Sequence, residues 1–308
     1  NASVAFRDRQ SGCRGATRVN QPLVLDLDGS RHGWEDTHTV DLSDWREAIR
    51  FGCSWSTWKC FRSALNERLP AGYGPVCMGS GDFHHISHLL LDRIGHNESF
   101  DVVVLDNHPD NMRFPFGIHC GSWVVHAARL PHIRCIHILG ITSTDVSWWH
   151  AWENHLLPIV QGKIRYWTTG VNVQWANPVG LANSIRSFEN VEVLIEQFIA
   201  EREKNIPGAV YLSIDKDVFS THVVRTNWDQ GCFNLDNVRQ LIETLKGQLI
   251  GSDITGEVSV HHFQTSWKRW LSAMDGQPTI PDEALAKWQT QQTAVNRQLL
   301  TWLQDVGT

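Results

Sequence analysis

A buried-strand pattern that ends in two carboxylates and an imidazole constrains this chain more than any other feature. Residues 102–105 are three valines and a leucine, a run typical of a strand buried on both faces of a parallel sheet. They lead directly into Asp106-Asn107-His108-Pro109-Asp110, at the strand end where open α/β sheets bind ligands. Three such donors packed together shift one another's pKa values unless a cation compensates them. Taken alone, the pattern equally fits one satisfied His beside two solvated turn carboxylates.

Three other predicted strands end in the same kinds of side chain. Asp82 and His84-His85 follow the strand at Val76, and Asp215 and Asp217 follow residues 210–214. Asp253 lies near the end of the strand at 249–254, and Glu257 follows that strand. Carboxylates with one or two imidazoles suit Mn²⁺, and Fe²⁺ or Co²⁺ less specifically, whereas zinc prefers thiolate or His-rich sets. Four Asp and two His are too many donors for one such ion. The sequence therefore predicts two divalent ions that share bridging carboxylates.

Strand and helix patterns alternate along the chain. Helical periodicity lies at residues 43–68, 86–94, 123–130, 191–202, 235–245 and 283–303, and strand patterns lie at 23–29, 76–78, 102–105, 133–139, 209–214 and 249–254. This alternation predicts an α/β protein with a mainly parallel sheet between two helical layers. Residues 145–187 are irregular and rich in Trp and Asn. With no repeat or Ser/Gly linker, we expect residues 1–308 to form a single domain.

Composition excludes several classes of partner. The formal net charge is −6 and there is no basic run, which argues against nucleic acid or an anionic membrane surface. No stretch approaches the roughly 18 consecutive apolar residues of a membrane span. Seven cysteines without a C-x-x-C suit reduced thiols, so we expect a cytoplasmic protein. The 15 Trp favour packing roles, with an aromatic wall of a substrate pocket at Trp148, Trp149 and Trp152 as the alternative.

The strand-end motifs together resemble a known family. In chain order they read Gly-Asp-Phe-His, Asp-Asn-His-Pro-Asp, Ser-Ile-Asp-Lys-Asp and Asp-Ile-Thr-Gly-Glu. This set is similar to the arginase/agmatinase/formiminoglutamase (ureohydrolase) superfamily, which carries G-G-D-H, D-A-H-x-D, S-x-D-x-D and D-x-x-E in the same order. The match spans residues 76 to 257. The resemblance implies an arginase-like three-layer α/β/α fold, two Mn²⁺ per chain and a homo-oligomer.

The resemblance also implies a role for each matched residue. One metal would be held by His84, Asp106, Asp110 and Asp215, and the other by His108, Asp106, Asp215 and Asp217. Asp106 and Asp215 would then bridge the two ions, and a hydroxide between the ions would be the nucleophile. Asp110 counts among the catalytic residues as well as the ligands. His119 would carry a proton to the leaving amine, and Glu257 would bind the substrate's cationic group.

The sequence departs from the family pattern in places that concern the ligands and the substrate. Phe83 adds one residue before the histidines, so that His84 and His85 are both candidate ligands, with His84 favoured. Gly256 lengthens the spacing to Glu257. Asn111-Met112-Arg113 replaces the arginase segment that binds the amino-acid end of the substrate, and Arg113 is either a carboxylate ligand or a solvated loop residue. We therefore expect a guanidino, amidine or formimino substrate without naming one.

Three other interpretations compete with this one. Asp26-Leu27-Asp28-Gly29-Ser30 imitates the nucleophile motif of HAD-type phosphatases, but that chemistry leaves the later strand ends unexplained. A single-metal deacetylase or amidohydrolase of the related histone-deacetylase-like fold would leave Asp110 and Asp217 surplus. A catalytically inactive binding relative is the third alternative, although all six ligand types are present.

Overall fold

The centre of the protein is one parallel β-sheet. A computed structural model describes residues 21–30, 37–94, 98–204, 208–274 and 280–307. Within these ranges the sheet has nine strands in the order β2-β1-β4-β11-β10-β5-β7-β8-β9, every neighbouring pair parallel. A separate antiparallel pair joins β3 to β6. The strands are β1 (Leu23–Asp26), β2 (His38–Asp41), β3 (Gly52–Cys53), β4 (Val76–Cys77), β5 (Phe100–Leu105), β6 (Ile118–His119), β7 (Ile133–Ile141), β8 (Ile164–Thr169), β9 (Ile185–Phe188), β10 (Val210–Asp215) and β11 (Leu249–Thr255).

Helices cover both faces of the sheet. They are α1 (Arg46–Ile49), α2 (Trp55–Arg68), α3 (Ser87–Arg93), α4 (Trp123–Ala127), α5 (Leu156–Val160), α6 (Val191–Lys204), α7 (Leu235–Thr244), α8 (Ser266–Met274) and α9 (Asp282–Val306). In the described ranges, no helix is both long and apolar enough to cross a membrane.

Alternating side chains on each strand create two hydrophobic cores. On β5, Val102 and Val104 belong to a core with residues of α2, α3 and α4, whereas Val103 and Leu105 belong to a core with residues of α6, α7 and α9. Successive strand residues point to opposite faces, so an unbroken apolar run serves both cores at once. The predicted three-layer α/β/α architecture is confirmed.

The sequence patterns located the central strands but missed several peripheral elements. Residues 145–187, expected to be irregular, contain α5, β8 and β9, and the periodicity at 43–68 is divided into α1 and α2 by β3. The division falls at Phe51, whose φ is 71°, a left-handed conformation that a helix excludes. Helix α8 was also missed. Strands β8 and β9 lie at one edge of the sheet and are only partly buried. The hydrophobic pattern of their sequences is therefore weaker.

Three exposed tryptophans lie together in one loop. Trp58, Trp123 and Trp167 are buried, as the packing interpretation expects, but Trp148, Trp149 and Trp152 are 61%, 79% and 67% exposed. This loop follows β7 and precedes α5, and it also carries Asp145 and Glu153.

Substitution of a sheet residue tests the importance of the second core. Leu212 on β10 is fully buried among residues of that core, so Leu212→Ala should lower the free energy of unfolding by about 2–5 kcal/mol. Leu157→Ala removes the same atoms from a side chain that is 66% exposed and should cost less than about 0.5 kcal/mol. Urea denaturation of both variants measures the difference. Equal costs would contradict this description of the core.

Candidate metal centre

The segments that follow three strands of the sheet, β4, β5 and β10, line one cavity. Strands β4, β11, β10 and β5 are adjacent in the sheet, so the segments that follow them meet at the same edge. The cavity has a volume of about 190 Å³. Its lining includes His84, Asp106, His108, Asp110, Asp215 and Asp217, together with Met112, His119, Cys120, Asp145, Glu153, Asn154 and Trp228. All six residues predicted to bind metal thus surround a single cavity.

The first donor group is His84, Asp106 and Asp215. One donor atom from each lies within 4.8 Å of the other two. His84 Nδ1 lies 3.2 Å from Asp106 Oδ2 and 3.5 Å from Asp215 Oδ2. Asp110 Oδ2 is 2.9 Å from the same nitrogen and also accepts a hydrogen bond from Trp123 Nε1 at 2.7 Å. The Asp110 backbone is left-handed, with φ 45°, and this brings its carboxylate back to the strand end.

The second donor group is Asp106, His108 and Asp217. Its donor atoms meet the same 4.8 Å limit. His108 Nδ1 lies 2.9 Å from Asp217 Oδ2 and 3.7 Å from Asp106 Oδ1. Asp106 therefore belongs to both groups, with Oδ2 directed to the first histidine and Oδ1 to the second.

The structure separates the two adjacent histidines. Both lie on a 3-10 helix, Gly81–Ile86, that begins with a hydrogen bond from Asp82 N to Ser80 Oγ. His84 points into the donor cluster, whereas the ring of His85 packs against Trp58 with 5.0 Å between ring centroids. Only His84 of this pair lines the cavity.

Hydrogen bonds outside the cluster orient both inward-facing histidines. His84 Nε2 lies 3.0 Å from Ser213 Oγ, and Ser213 in turn donates to Asp253 Oδ1 at 2.7 Å. Asp253 Oδ2 accepts a second hydrogen bond from Tyr211. His108 Nε2 lies 2.8 Å from Asp229 Oδ1. Because these outer carboxylates can only accept, each Nε2 carries a proton, and each Nδ1 is the nitrogen that can offer a lone pair to a cation once its own proton has left.

The donor set fits divalent cations. A neutral imidazole lone pair beside several carboxylates is unfavourable unless a cation or a proton lies between them. Asp106 Oδ2 is buried and accepts no hydrogen bond from a described residue that meets the usual geometric criteria. Asp, Asp and His donors in this proportion suit Mn²⁺ better than zinc.

Without a cation, protons must provide the compensating charge. Burial raises the pKa of Asp110 to about 6, with a further contribution from Asp106, and burial raises the pKa of Asp215 to about 7. Burial by itself would lower the pKa of His84, but Asp106 and Asp110 hold it well above its usual range. The carboxylate of Asp217 likewise outweighs burial and raises the pKa of His108.

His119 is buried beside the cluster and lines the same cavity. Its Nδ1 accepts a hydrogen bond from Gly121 N at 3.0 Å, and its ring meets that of Phe51 edge to face at 4.3 Å. Burial lowers the pKa of His119 to about 4, so the imidazole is neutral near pH 7. With Nδ1 occupied as an acceptor, the proton of the neutral ring is on Nε2.

The structure places Glu257 outside the cavity. This side chain does not line the cavity; it is buried and accepts hydrogen bonds from Lys216 Nζ and Asn296 Nδ2. The reason is Gly256, with φ 88°, whose Cα approaches Asp215 so closely that a Cβ would lie 2.5 Å from Asp215 Oδ1. The extra residue thus turns the next carboxylate towards Lys216, a fully buried cation that also bonds Gln292 of α9.

The Asp26–Ser30 segment is also separate from this cavity. Asp28 accepts hydrogen bonds from Ser30 and Ser259, and its carboxylate lies 3.5 Å from Arg50 Nη1. Arg50 in turn donates to Asp82 at 2.6 Å. The buried guanidinium of Arg50 thus contacts both Asp28 and Asp82, and these two carboxylates are its internal ion-pair partners.

Sequence reasoning missed two residues of the site. Trp228 lines the cavity and donates its indole N–H to Asp82, and the next residue, Asp229, contacts His108. Both come from the segment between β10 and α7, which has no strand or helix periodicity. Their only local signal is an acidic residue beside an aromatic one. Arg113, in contrast, does not line the cavity, and its Nε donates to the Asn154 carbonyl.

Comparisons with known proteins support the fold. No known family model matches the chain. An uncharacterised protein from Thermotoga maritima is 25% identical over 203 residues, which cover 65% of this chain, and the chain spans 63% of that relative's length. A putative agmatinase from Clostridium difficile aligns over 92% of this chain and 96% of its own, at 14% identity and a TM-score of 0.51. Proclavaminate amidino hydrolase from Streptomyces clavuligerus aligns over 89% and 93%, at 15% identity and a TM-score of 0.48.

The alignment with the Clostridium difficile protein establishes the class of fold. At 14% identity it shows an arginase-like α/β fold and nothing finer. The resemblance seen in the sequence motifs is thereby confirmed at the level of the fold.

The pKa shifts predict how pH controls stabilisation by Mn²⁺. Asp110 and Asp215 titrate near 3.8 when unfolded, so between about pH 4 and 7 the metal-free folded state binds more protons and loses stability as pH rises. Mn²⁺ must displace these protons, so it should raise the melting temperature strongly at about pH 8 and little at about pH 5. Thermal unfolding with Mn²⁺ and with chelator, at both values, measures this. An equal rise at both would contradict the assignment.

Proposed function

We propose that this protein is a binuclear, manganese-dependent hydrolase that cleaves a C–N bond of a guanidino, amidine or formimino compound. The observation that carries the proposal is the pair of donor groups that share Asp106. Each group contains one histidine whose Nδ1 faces the shared carboxylate and whose Nε2 is held from outside. A single metal would use only one of these groups.

Each ligand has a place in this proposal. His84, Asp106, Asp110 and Asp215 would hold one ion, and His108, Asp106, Asp215 and Asp217 the other. Bound in this way, two Mn²⁺ supply Lewis acidity and make hydroxide available near neutral pH. Four carboxylates balance the four positive charges of the two ions. The carboxylates and His84 are buried and the His108 side chain is only 16% exposed, so these groups need little reorganisation to receive the ions.

His119 is suited to proton transfer at the same cavity. Its ring is neutral near pH 7 because its pKa is about 4, and its orientation is fixed by the hydrogen bond from Gly121 N. We assign to His119 the transfer of a proton to the departing amine: the neutral ring takes up the proton released by the attacking hydroxide and passes it to the leaving nitrogen, so that the ring starts and ends neutral. The edge contact with Phe51 holds the ring in this orientation.

The charges of the cavity wall favour a cationic substrate. Besides the six ligands, Asp145 and Glu153 line the cavity, and no Lys or Arg is among the described lining residues. A guanidinium or amidinium group is therefore attracted, whereas a distal carboxylate has no basic partner there. Arg113, the one candidate for that role in the sequence, is bound to the Asn154 carbonyl. We accordingly expect guanidino substrates without a carboxylate to be preferred.

A substrate panel tests the proposed reaction. Purified protein loaded with Mn²⁺ should release urea or ammonia from guanidino, amidine or formimino compounds, fastest from those that carry no carboxylate. An acetylated lysine peptide serves as the comparison for the single-metal deacetylase alternative. Deacetylation without any release from the guanidino panel would favour that alternative, and no turnover of any compound by the fully loaded protein would favour an inactive relative.

Substitution of His119 tests the assigned proton transfer. His119→Asn should lower kcat by about 10²–10⁴-fold, because it removes the donor without removing a metal ligand, while Mn²⁺ content stays unchanged. The matched control is His126→Asn on α4, a half-buried histidine that packs against Trp55 and does not line the cavity. Unchanged kcat in His119→Asn would remove this role. The cytoplasmic location and the homo-oligomer remain predictions.

A further inference from the structure

The two inward-facing histidines are held by different kinds of partner. His84 is bound through Ser213 to Asp253, and all three side chains are buried. His108 is bound directly by Asp229, whose side chain is 69% exposed. Asp229 also accepts hydrogen bonds from Asn107 Nδ2, at its carbonyl oxygen and at Oδ2, both at 3.1 Å. One exposed carboxylate therefore joins two residues of the Asp106–Asp110 motif from outside the cluster.

The backbone around Asp229 is fixed on both sides. Before it, Asn227 exchanges two hydrogen bonds with the backbone of Ser259, at 2.8 and 2.9 Å. After it, Gln230 donates to the carbonyls of Phe219 and Val224, and Gly231 N donates to Asp217 O at 2.7 Å. The last contact requires glycine, because a Cβ on Gly231 would lie 2.5 Å from Val218 O. The exposed side chain of Asp229 thus extends from a backbone that is anchored on both sides.

We propose that Asp229 is a positioning residue for the second metal position. By accepting the Nε2 proton of His108, it selects the tautomer whose Nδ1 lone pair points to Asp106 and Asp217, and it holds the ring in that direction. Carboxylate partners of this kind raise the basicity of a ligating histidine, and their loss costs metal affinity. This inference rests on the proposed binuclear function and adds to it that the two positions depend on separate residues.

The two positions should consequently differ in their response to mutation. The support of the first histidine lies inside the sheet, on β10 and β11, where changes also disturb the core. The support of the second lies on an exposed side chain, so it can be removed with little effect on folding. Asp229→Ala deletes the acceptor, whereas Asp229→Asn keeps an oxygen acceptor and removes only the charge.

Metal titration of these variants tests the proposal. In Asp229→Ala, one of the two Mn²⁺ dissociation constants should rise by about 10- to 100-fold while the other stays unchanged. In Asp229→Asn, the affected dissociation constant should lie between its values in Asp229→Ala and in the parent protein. Electron paramagnetic resonance should show isolated Mn²⁺ at concentrations that give a coupled pair in the parent. Asp236→Asn, the same change at an exposed carboxylate on α7, is the control and should match the parent.

A double-mutant cycle assigns the effect to the second position. In a His108→Ala background that position is already impaired, so adding Asp229→Ala should produce no further loss. The positioning role would be overturned if Asp229→Ala lowered Mn²⁺ affinity equally at both positions. It would also be overturned if Asp229→Ala lowered Mn²⁺ affinity as much in the His108→Ala background as in the parent protein. Two unchanged constants in Asp229→Ala would overturn it while leaving the binuclear hydrolase intact. A parent protein that binds fewer than two Mn²⁺ would overturn both, and two bound ions without turnover would contradict only the hydrolase.

Discussion

The structure depends on the electrostatic compensation of four buried aspartates that the ends of the neighbouring strands β5 and β10 bring together. Asp106, Asp110, Asp215 and Asp217 are all at most 7% exposed, and the imidazoles of His84 and His108 lie between them. Burial of carboxylates is unfavourable unless protons or cations accompany them. Burial raises the pKa of Asp110 to about 6 and that of Asp215 to about 7, so without a cation these carboxylates take up protons as the pH falls below these values. The same requirement makes the cluster suited to divalent cations.

The surrounding fold supports this cluster from three directions. Buried β10 and β11 provide Ser213 and Asp253 behind His84, the 227–231 segment provides Asp229 behind His108, and α9 provides Gln292 and Asn296, which bind Lys216. In the sequence, Lys216 lies between the predicted ligands Asp215 and Asp217. Hydrogen bonds from its buried ammonium therefore connect the segment that carries these ligands to α9. The site is therefore assembled from residues far apart in the chain. Its geometry is determined by the sheet and by these outer contacts together.

The central strands and the cluster residues were predictable because local pattern determines them. An apolar run that ends in Asp-x-His-x-Asp indicates a buried strand and marks its carboxyl end. Parallel strands bring such carboxyl ends to one edge of the sheet. The contact of His108 with Asp229 was not predictable, since it joins residues 121 positions apart through an irregular segment. The position of Glu257 outside the cavity was not predictable, because its direction follows from the left-handed Gly256, which the spacing alone does not reveal. Strand β8 was missed because polar and aromatic residues at a partly exposed strand obscure its alternation.

Anomalous X-ray diffraction from crystals soaked with Mn²⁺ would test the central claim most directly, since it locates each ion without reference to activity. The account predicts two peaks about 3.5–4 Å apart, one on each side of Asp106, the first beside His84 Nδ1 and the second beside His108 Nδ1. A single peak would favour a one-metal site. If crystals soaked in saturating Mn²⁺, at a pH where the buried carboxylates are ionised, show no peak, these carboxylates serve another purpose and the binuclear assignment is wrong.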